Sequence, residues 1–285
     1  MDTTTEDTQP QQPDLSSDIA DHRQAKKPKF HNKNNNNNNN KAEHSSMADI
    51  TDSKREILAL FTGYRDTLDI HHDQRERVIK CSRDITALSK KIVFSLLRIT
   101  QEQSPDAVFR DAETKHKQVI DLFRKISVEL QGSNSLKYNR QATPGLQEYI
   151  EAIGLWTFLQ HNVLISKEQV LERLSAAGAD GVVAPLVDVT DEDYILGISD
   201  LPGEVNRYCI NAIGKGDHQA VRRCLVFLRQ MKEGINLLMS SGYVRDLDKK
   251  VAVLDSSLEK TERAYYSMSI RDSEMNGRLS MPVDA

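Results

Sequence analysis

Glu148 and Glu151 stand in the run Gln147-Glu148-Tyr149-Ile150-Glu151, and Asp200 and Glu204 in Asp200-Leu201-Pro202-Gly203-Glu204. On a helix, separations of three and four residues place each pair on one face. If the two helices lie side by side, four carboxylates converge into an all-oxygen cluster. Such a cluster stays fully ionised only around a hard cation such as Mg²⁺ or Mn²⁺. A cation held this way polarises a phosphoryl oxygen, lowers the pKa of bound water and stabilises a pentavalent transition state. The chemistry indicated is phosphodiester cleavage, and the spacing does not separate one ion from two.

The competing reading is a solvated face of paired charges. On the helix carrying Glu148, the main apolar stripe is Leu146, Ile150, Ile153 and Trp156, yet Leu155 and Leu159 fall on the carboxylate side. A helix apolar nearly all round is buried, and buried carboxylates must be paired, protonated or metal-bound. The helix carrying Glu204 is more ordinary. Ile198, Leu201, Val205, Tyr208 and Cys209 form its apolar face, and Asp200, Glu204, Arg207 and Asn211 share the polar one. Arg207 either neutralises Glu204 at i,i+3 or contacts a phosphate beside a metal. Pro202 removes one backbone bond, which leaves Asp200 open to reading as an N-cap.

Other chemistry is sparse. His71-His72-Asp73 is placed at a helix junction, on the surface. Basic residues on one helix (Arg75, Arg77, Lys80, Arg83) and around Lys215, Arg222, Arg223 and Arg229 either track a phosphate backbone or form solvated, salt-bridged faces. No Ser-His-Asp order, P-loop or GxGxxG motif occurs.

The elements that must position the acids are helical. Ile57, Leu60, Phe61, Tyr64 and Leu68 stripe a first helix from Asp52, and Val78, Cys81, Ile85, Leu88, Ile92, Leu96 and Ile99 a second, over 73–100. A third spans 105–130, ended by Gly132-Ser133-Asn134. Thr143-Pro144 opens a fourth running to Val163. Ser166 with Gln169 opens a short fifth. The stretch 176–189 reads as a loop. Thr190 caps a sixth helix reaching Ile213, a turn at 214–217 leads into a seventh ending near Ser240, and the last covers 246–269. Strand alternation is nowhere sustained, so the sequence predicts an all-α bundle of about seven or eight helices.

The chain has 285 residues and a formal net charge of −4, so nucleic-acid binding must come from a local basic face. Residues 1–47, with the Asn34–Asn40 run, bury too little apolar area to order and are expected to be a disordered tail. A helical domain is expected over 48–273, and a flexible tail over 274–285. Cys81, Cys209 and Cys224 have no CxxC spacing, which points to reduced thiols in an intracellular protein. No apolar run approaches the ~18 residues that span a bilayer, so no membrane association is expected. The basic cluster His22-Arg23-Gln24-Ala25-Lys26-Lys27-Pro28-Lys29 reads as a nuclear-import signal or a solvating charge run.

Several strings resemble the translin family. They are His72-Asp73-Gln74-Arg75-Glu76-Arg77, Ser82-Arg83-Asp84-Ile85-Thr86, Leu146-Gln147-Glu148-Tyr149-Ile150-Glu151-Ala152, Asp193-Tyr194-Ile195-Leu196-Gly197, Asp200-Leu201-Pro202-Gly203-Glu204 and Phe227-Leu228-Arg229-Gln230. The similarity covers about residues 50–273. It implies an all-α fold of about seven helices that assembles with translin into a closed, roughly octameric shell. In that family the shell is a Mg²⁺-dependent endoribonuclease acting on single-stranded RNA. It promotes activation of the RNA-induced silencing complex by removing passenger-strand fragments.

One subunit type carries the catalytic acids and translin supplies much of the RNA binding. Carried over, the acids are Glu148, Glu151, Asp200 and Glu204. Glu151 and Glu204 would be direct metal ligands, with Glu148 and Asp200 completing the shell or activating water. Arg207, Arg222 and Arg223 are the expected RNA contacts, and residence is expected in cytoplasm and nucleus. Pro202 departs from the pattern and puts the local helix geometry in question. The alternative is a non-enzymatic partner that stabilises translin and tunes its nucleic-acid binding and nuclear localisation.

Overall fold

The computed structural model describes residues 44–102, 104–177, 183–239 and 242–279, with backbone alone for 44–50 and 272–279. The Asn-rich run and the basic cluster fall outside these residues, as do 280–285. Seven α-helices make up the described chain: α1 His44–Leu97, α2 Pro105–Glu129, α3 Asn134–His161, α4 Lys167–Arg173, α5 Asp191–Gly214, α6 His218–Met239 and α7 Leu247–Leu279. A 3-10 turn, Arg98–Thr100, follows α1, and an antiparallel ribbon pairs β1 (Ser175–Ala177) with β2 (Val183–Pro185). The all-α expectation holds. The chain divides into two units, 1–58 and 59–285, and all packing below belongs to the second.

The apolar periodicity of the sequence is realised most fully from Val78 onward. Val78, Ile85, Ile92 and Leu96 of α1 are buried, with Cys81, Leu88 and Ile99 packed against the core. Four boundaries differ from expectation. The first two expected helices are one. No proline lies between His44 and Ser104, and Gly63 alone weakens the run, at a cost of about 1 kcal/mol. His71 is therefore mid-helix, its ring hydrogen-bonded to the Tyr138 hydroxyl. Leu60, Phe61, Tyr64 and Leu68 are exposed despite their helical spacing.

Second, α3 starts at Asn134, so Pro144 lies inside it instead of opening it. Burial of Tyr138 and Ala142 carries the helix through the proline. Beside it, Ser82 Oγ accepts the Gly145 N–H at 3.0 Å. Third, the expected loop at 176–189 contains the ribbon, whose strands are too short for an alternation signal. Fourth, α7 continues to Leu279, past the expected helix end at 269. Two caps stand as read. Thr190 Oγ1 accepts the Asp193 N–H, and Ser166 and Gln169 form a reciprocal capping box.

α5 is the central helix: it lies along α3 and packs also on α6 and α7. Gly197 of α5 has no room for a side chain, since a Cβ there would stand 2.8 Å from Ile150 Cβ of α3. A turn away, a Cβ on Gly154 would meet Leu201 at 3.3 Å. The contact is thus tight at both ends. Gly145 plays the same part between α3 and α1, where a Cβ would stand 2.7 Å from the Ser82 carbonyl oxygen.

Thermal unfolding should rank these sites. Gly197→Ala and Gly145→Ala each overpack a helix contact and should cost about 1–3 kcal/mol, lowering Tm. Gly234→Ala in α6 meets open space and should be neutral or stabilise by up to about 1 kcal/mol. Equal Tm for all three variants would contradict the close approach.

Candidate functional site

The α3–α5 contact is what brings the four acids together. Glu151 sits one turn before Gly154 on α3, and Asp200 one turn after Gly197 on α5. Helix α5 runs unbroken from Asp191 to Gly214 with Pro202 inside it. Asp200 is therefore mid-helix, and the N-cap reading is overturned: Thr190 is the cap. The uncertainty that Pro202 raised about helix geometry is also removed, because Leu201, Pro202 and Val205 are buried and hold the segment in place.

Glu151 is the most perturbed of the four. Its carboxyl is pushed up from 4.5 to about 8, first by burial and then by Asp200, Glu148 and Glu204. Lys250 opposes the rise. Glu151 thus feels the charge of the other three acids across the contact of α3 with α5.

The other three are ion-paired. Lys90 of α1 reaches Glu148 Oε1 at 3.1 Å, Lys250 of α7 grips both Asp200 oxygens, and Arg207 reaches Glu204 Oε2 at 3.3 Å. Their carboxylates remain partly open to solvent. Among the described residues no ion pair reaches Glu151. Lys90 and Lys250 are functional candidates that the sequence did not single out. Each is a lysine on an amphipathic helix surface, and only the fold aims it at an acid.

Carboxylates are the donor type that a hard cation takes. Yet no group of three or more His, Cys, Asp or Glu side chains among the described residues is arranged to hold a metal ion. In the structure basic side chains hold three of the four acids, and Glu151 is half-buried.

Of the expected RNA contacts, Arg207 is exposed beside Glu204, Arg222 is exposed, and Arg223 is half-buried near Tyr208. Arg77 and Arg229 are held by Glu129 and Glu262. An apolar groove of about 660 Å³ lined by Tyr194, Ile198, Phe227 and Met231 contains none of the four acids. Cys209 and Cys224 are buried side by side and free, and Cys81 is half-buried. Among the described residues no helix is long and apolar enough to cross a membrane.

Comparison with known proteins places the chain in a family. Translin-associated protein X of Rattus norvegicus is 34% identical over 238 residues, covering 78% of this chain and 82% of the relative. Translin-associated protein X homolog of Schizosaccharomyces pombe is 28% identical, over 79% of this chain and 93% of its own. Translin of Gallus gallus is 22% identical, over 75% and 93%. In fold, the chain resembles the crystal structure of apo-NeC3PO with a TM-score of 0.58 at 19% identity, over 73% of this chain and 96% of that one. The AfC3PO–duplex RNA complex gives 0.55 at 20% identity, over 78% and 99%. The Translin family model matches residues 73–272, and with that span and these relatives the chain belongs to the Translin family.

Proposed function

We propose that this chain is the catalytic subunit of a Mg²⁺- or Mn²⁺-dependent endoribonuclease, assembled with translin and cutting single-stranded RNA. Its cellular task would be activation of the RNA-induced silencing complex by removal of passenger-strand fragments, in cytoplasm and nucleus. One observation carries the reading: a half-buried glutamate, Glu151, feels the charge of three further acids on two neighbouring helices. Family membership supports it, as do relatives named for their association with translin and a fold neighbour in complex with duplex RNA.

Glu151 and Glu204 would hold the cation directly, and Glu148 and Asp200 would complete its shell or orient water. When bound, the cation supplies positive charge to a phosphoryl oxygen of the scissile bond. Arg207, Arg222 and Arg223 would bind the RNA phosphates beside the cluster. Partial burial of Glu151 strengthens the charge interactions around it.

The second reading is a non-enzymatic partner that stabilises translin and tunes its RNA binding and nuclear localisation. The ion pairs of Glu148, Asp200 and Glu204 favour it, since a purely structural charge set needs no metal. Calorimetric titration with Mn²⁺ separates the two. Stoichiometric uptake that Glu151→Gln abolishes supports the nuclease, and no uptake supports the partner.

Glu151→Ala or Glu204→Ala, assembled with translin, should lower the rate of RNA cleavage about 100-fold or more, the scale of losing one charge-stabilising group. Near-wild-type cleavage by either variant would reject the site.

The pKa of Glu151 also sets a stability trend. Between pH 4.5 and about 8 the folded chain keeps the Glu151 proton and the unfolded chain releases it. The folded state then binds more protons, so metal-free stability falls as pH rises through that window. Glu151→Gln should raise Tm by an amount that grows from pH 5 to 8. A difference independent of pH would contradict the shift.

A further inference from the structure

Helix α1 outruns the helix it packs on. Its buried side repeats every seven residues, with Val78, Ile85 and Ile92 in one row and Ser82, Ser89 and Leu96 in the other. Alternating steps of three and four make such rows a seam for a second helix. Helix α3 takes it. Ser82 Oγ accepts the Gly145 N–H at 3.0 Å, and the Tyr138 hydroxyl meets His71 Nδ1 at 2.5 Å and Gln74 Oε1 at 3.3 Å. Tyr138 is the first buried residue of α3, which begins one turn earlier at Asn134. From His71 toward its N-terminus, α1 therefore runs on past the start of α3.

The apolar repeat runs on with it. Counting back by sevens, Val78 leads to His71 and Tyr64, and Ser82 leads to Arg75, Leu68 and Phe61, with Leu60 beside Phe61. A straight helix drifts about 20° per heptad, so these residues stay within about 60° of the packed side. Leu60, Phe61, Tyr64 and Leu68 are 56%, 66%, 60% and 67% exposed. Together they present roughly 400–500 Å² of mostly apolar surface, on the scale of the largest patch a monomer shows. The 43 residues ahead of α1 hold, besides Met1, only Leu15, Ile19 and Phe30 as large apolar side chains, too few to match the stripe. The Translin family match begins at residue 73, so the shared body does not need the stripe for its own packing.

We propose that the bare stretch of the α1 seam, residues 60–68, is a docking surface for an α-helix of an adjoining translin subunit, laid end-on to α3. The inference rests on the proposed assembly with translin and names a surface through which it is made. The spacing that suits α3 farther along suits a second helix with an apolar stripe here. The flanks carry little net charge to offer a partner, since Arg65 and Asp66 hydrogen-bond each other. Asp66 and Asp69 beside the stripe disfavour a polyanion, which removes RNA as the occupant. Docking of this kind is driven by apolar burial and is insensitive to salt.

The test uses the full-length chain and translin. Phe61→Ser/Leu68→Ser removes two of the four side chains. Phe94→Ser is the control, on the same helix and 67% exposed but off the seam. These sites are exposed, so helical content should match wild type in both variants. By sedimentation, the dissociation constant for translin should rise at least about tenfold for the double variant and less than about twofold for the control, in low and high salt alike. Hydrogen exchange of the amides of 59–70 should slow on assembly.

Translin binding by the double variant within twofold of wild type, or an equal loss in Phe94→Ser, would overturn the assignment. So would exchange at 59–70 that assembly leaves unchanged. Self-association of the chain through this stripe, with translin binding untouched, would give the surface to a second copy instead. Wild type that does not assemble with translin at all would fail the proposed assembly itself, a result distinct from assembly that ignores the stripe.

Discussion

The seam between α3 and α5 is the constraint on which the rest depends. It is closed at Gly197, where Ile150 fills the space a side chain would need, and again at Gly154 against Leu201. The acids ride on the same turns as these contacts. Like charges brought this close repel, and the structure accepts that repulsion because apolar packing holds the helices regardless. Ile150, Ile153, Leu201 and Val205 are fully buried along the seam. Burying that much hydrocarbon contributes several kcal/mol, more than the repulsion among partly solvated carboxylates removes.

The repulsion is not spread evenly. Three acids have basic partners, and the burden falls on Glu151, which is half-buried and which no ion pair reaches among the described residues. Its raised pKa is therefore a property of the cluster and of its burial together. Acids placed this way are strained electrostatically, and the cation of the proposed function would relieve the strain. Stability and function are thus linked through one carboxyl group. Strongly shifted groups of this type also occur in structural ion-pair networks, which is why the pairs with Lys90 and Lys250 matter as much as the acids.

Much of this was legible beforehand, for physical reasons. The three- and four-residue acid spacings survive folding because a helix enforces them. Leu155 and Leu159 on the carboxylate side of α3 signalled burial correctly, and both lie in or against the core. Thr190 and Ser166 marked their helix starts because a capping side chain acts locally. What failed was non-local. Pro144 reads as a start signal, but packing of Tyr138 and Ala142 extends α3 past it. The break expected at His71-His72-Asp73 vanished because nothing there stops a helix, and burial from Val78 onward supports it. Lys90 and Lys250 left no sequence mark, since a lysine aimed at an acid on another helix looks like any surface lysine.

The central claim is that Glu151 lies among three other carboxylates, and its own titration tests that most directly. Carbon-13 NMR of the metal-free protein labelled at glutamate side chains would follow each carboxyl with pH, and the Glu151→Gln spectrum would assign the resonance. The account predicts that the Glu151 signal moves near pH 8. A midpoint near 4.5, the ordinary value of a glutamate carboxyl, would mean that the carboxyl is solvated and apart from its neighbours, and the proposed site would not exist.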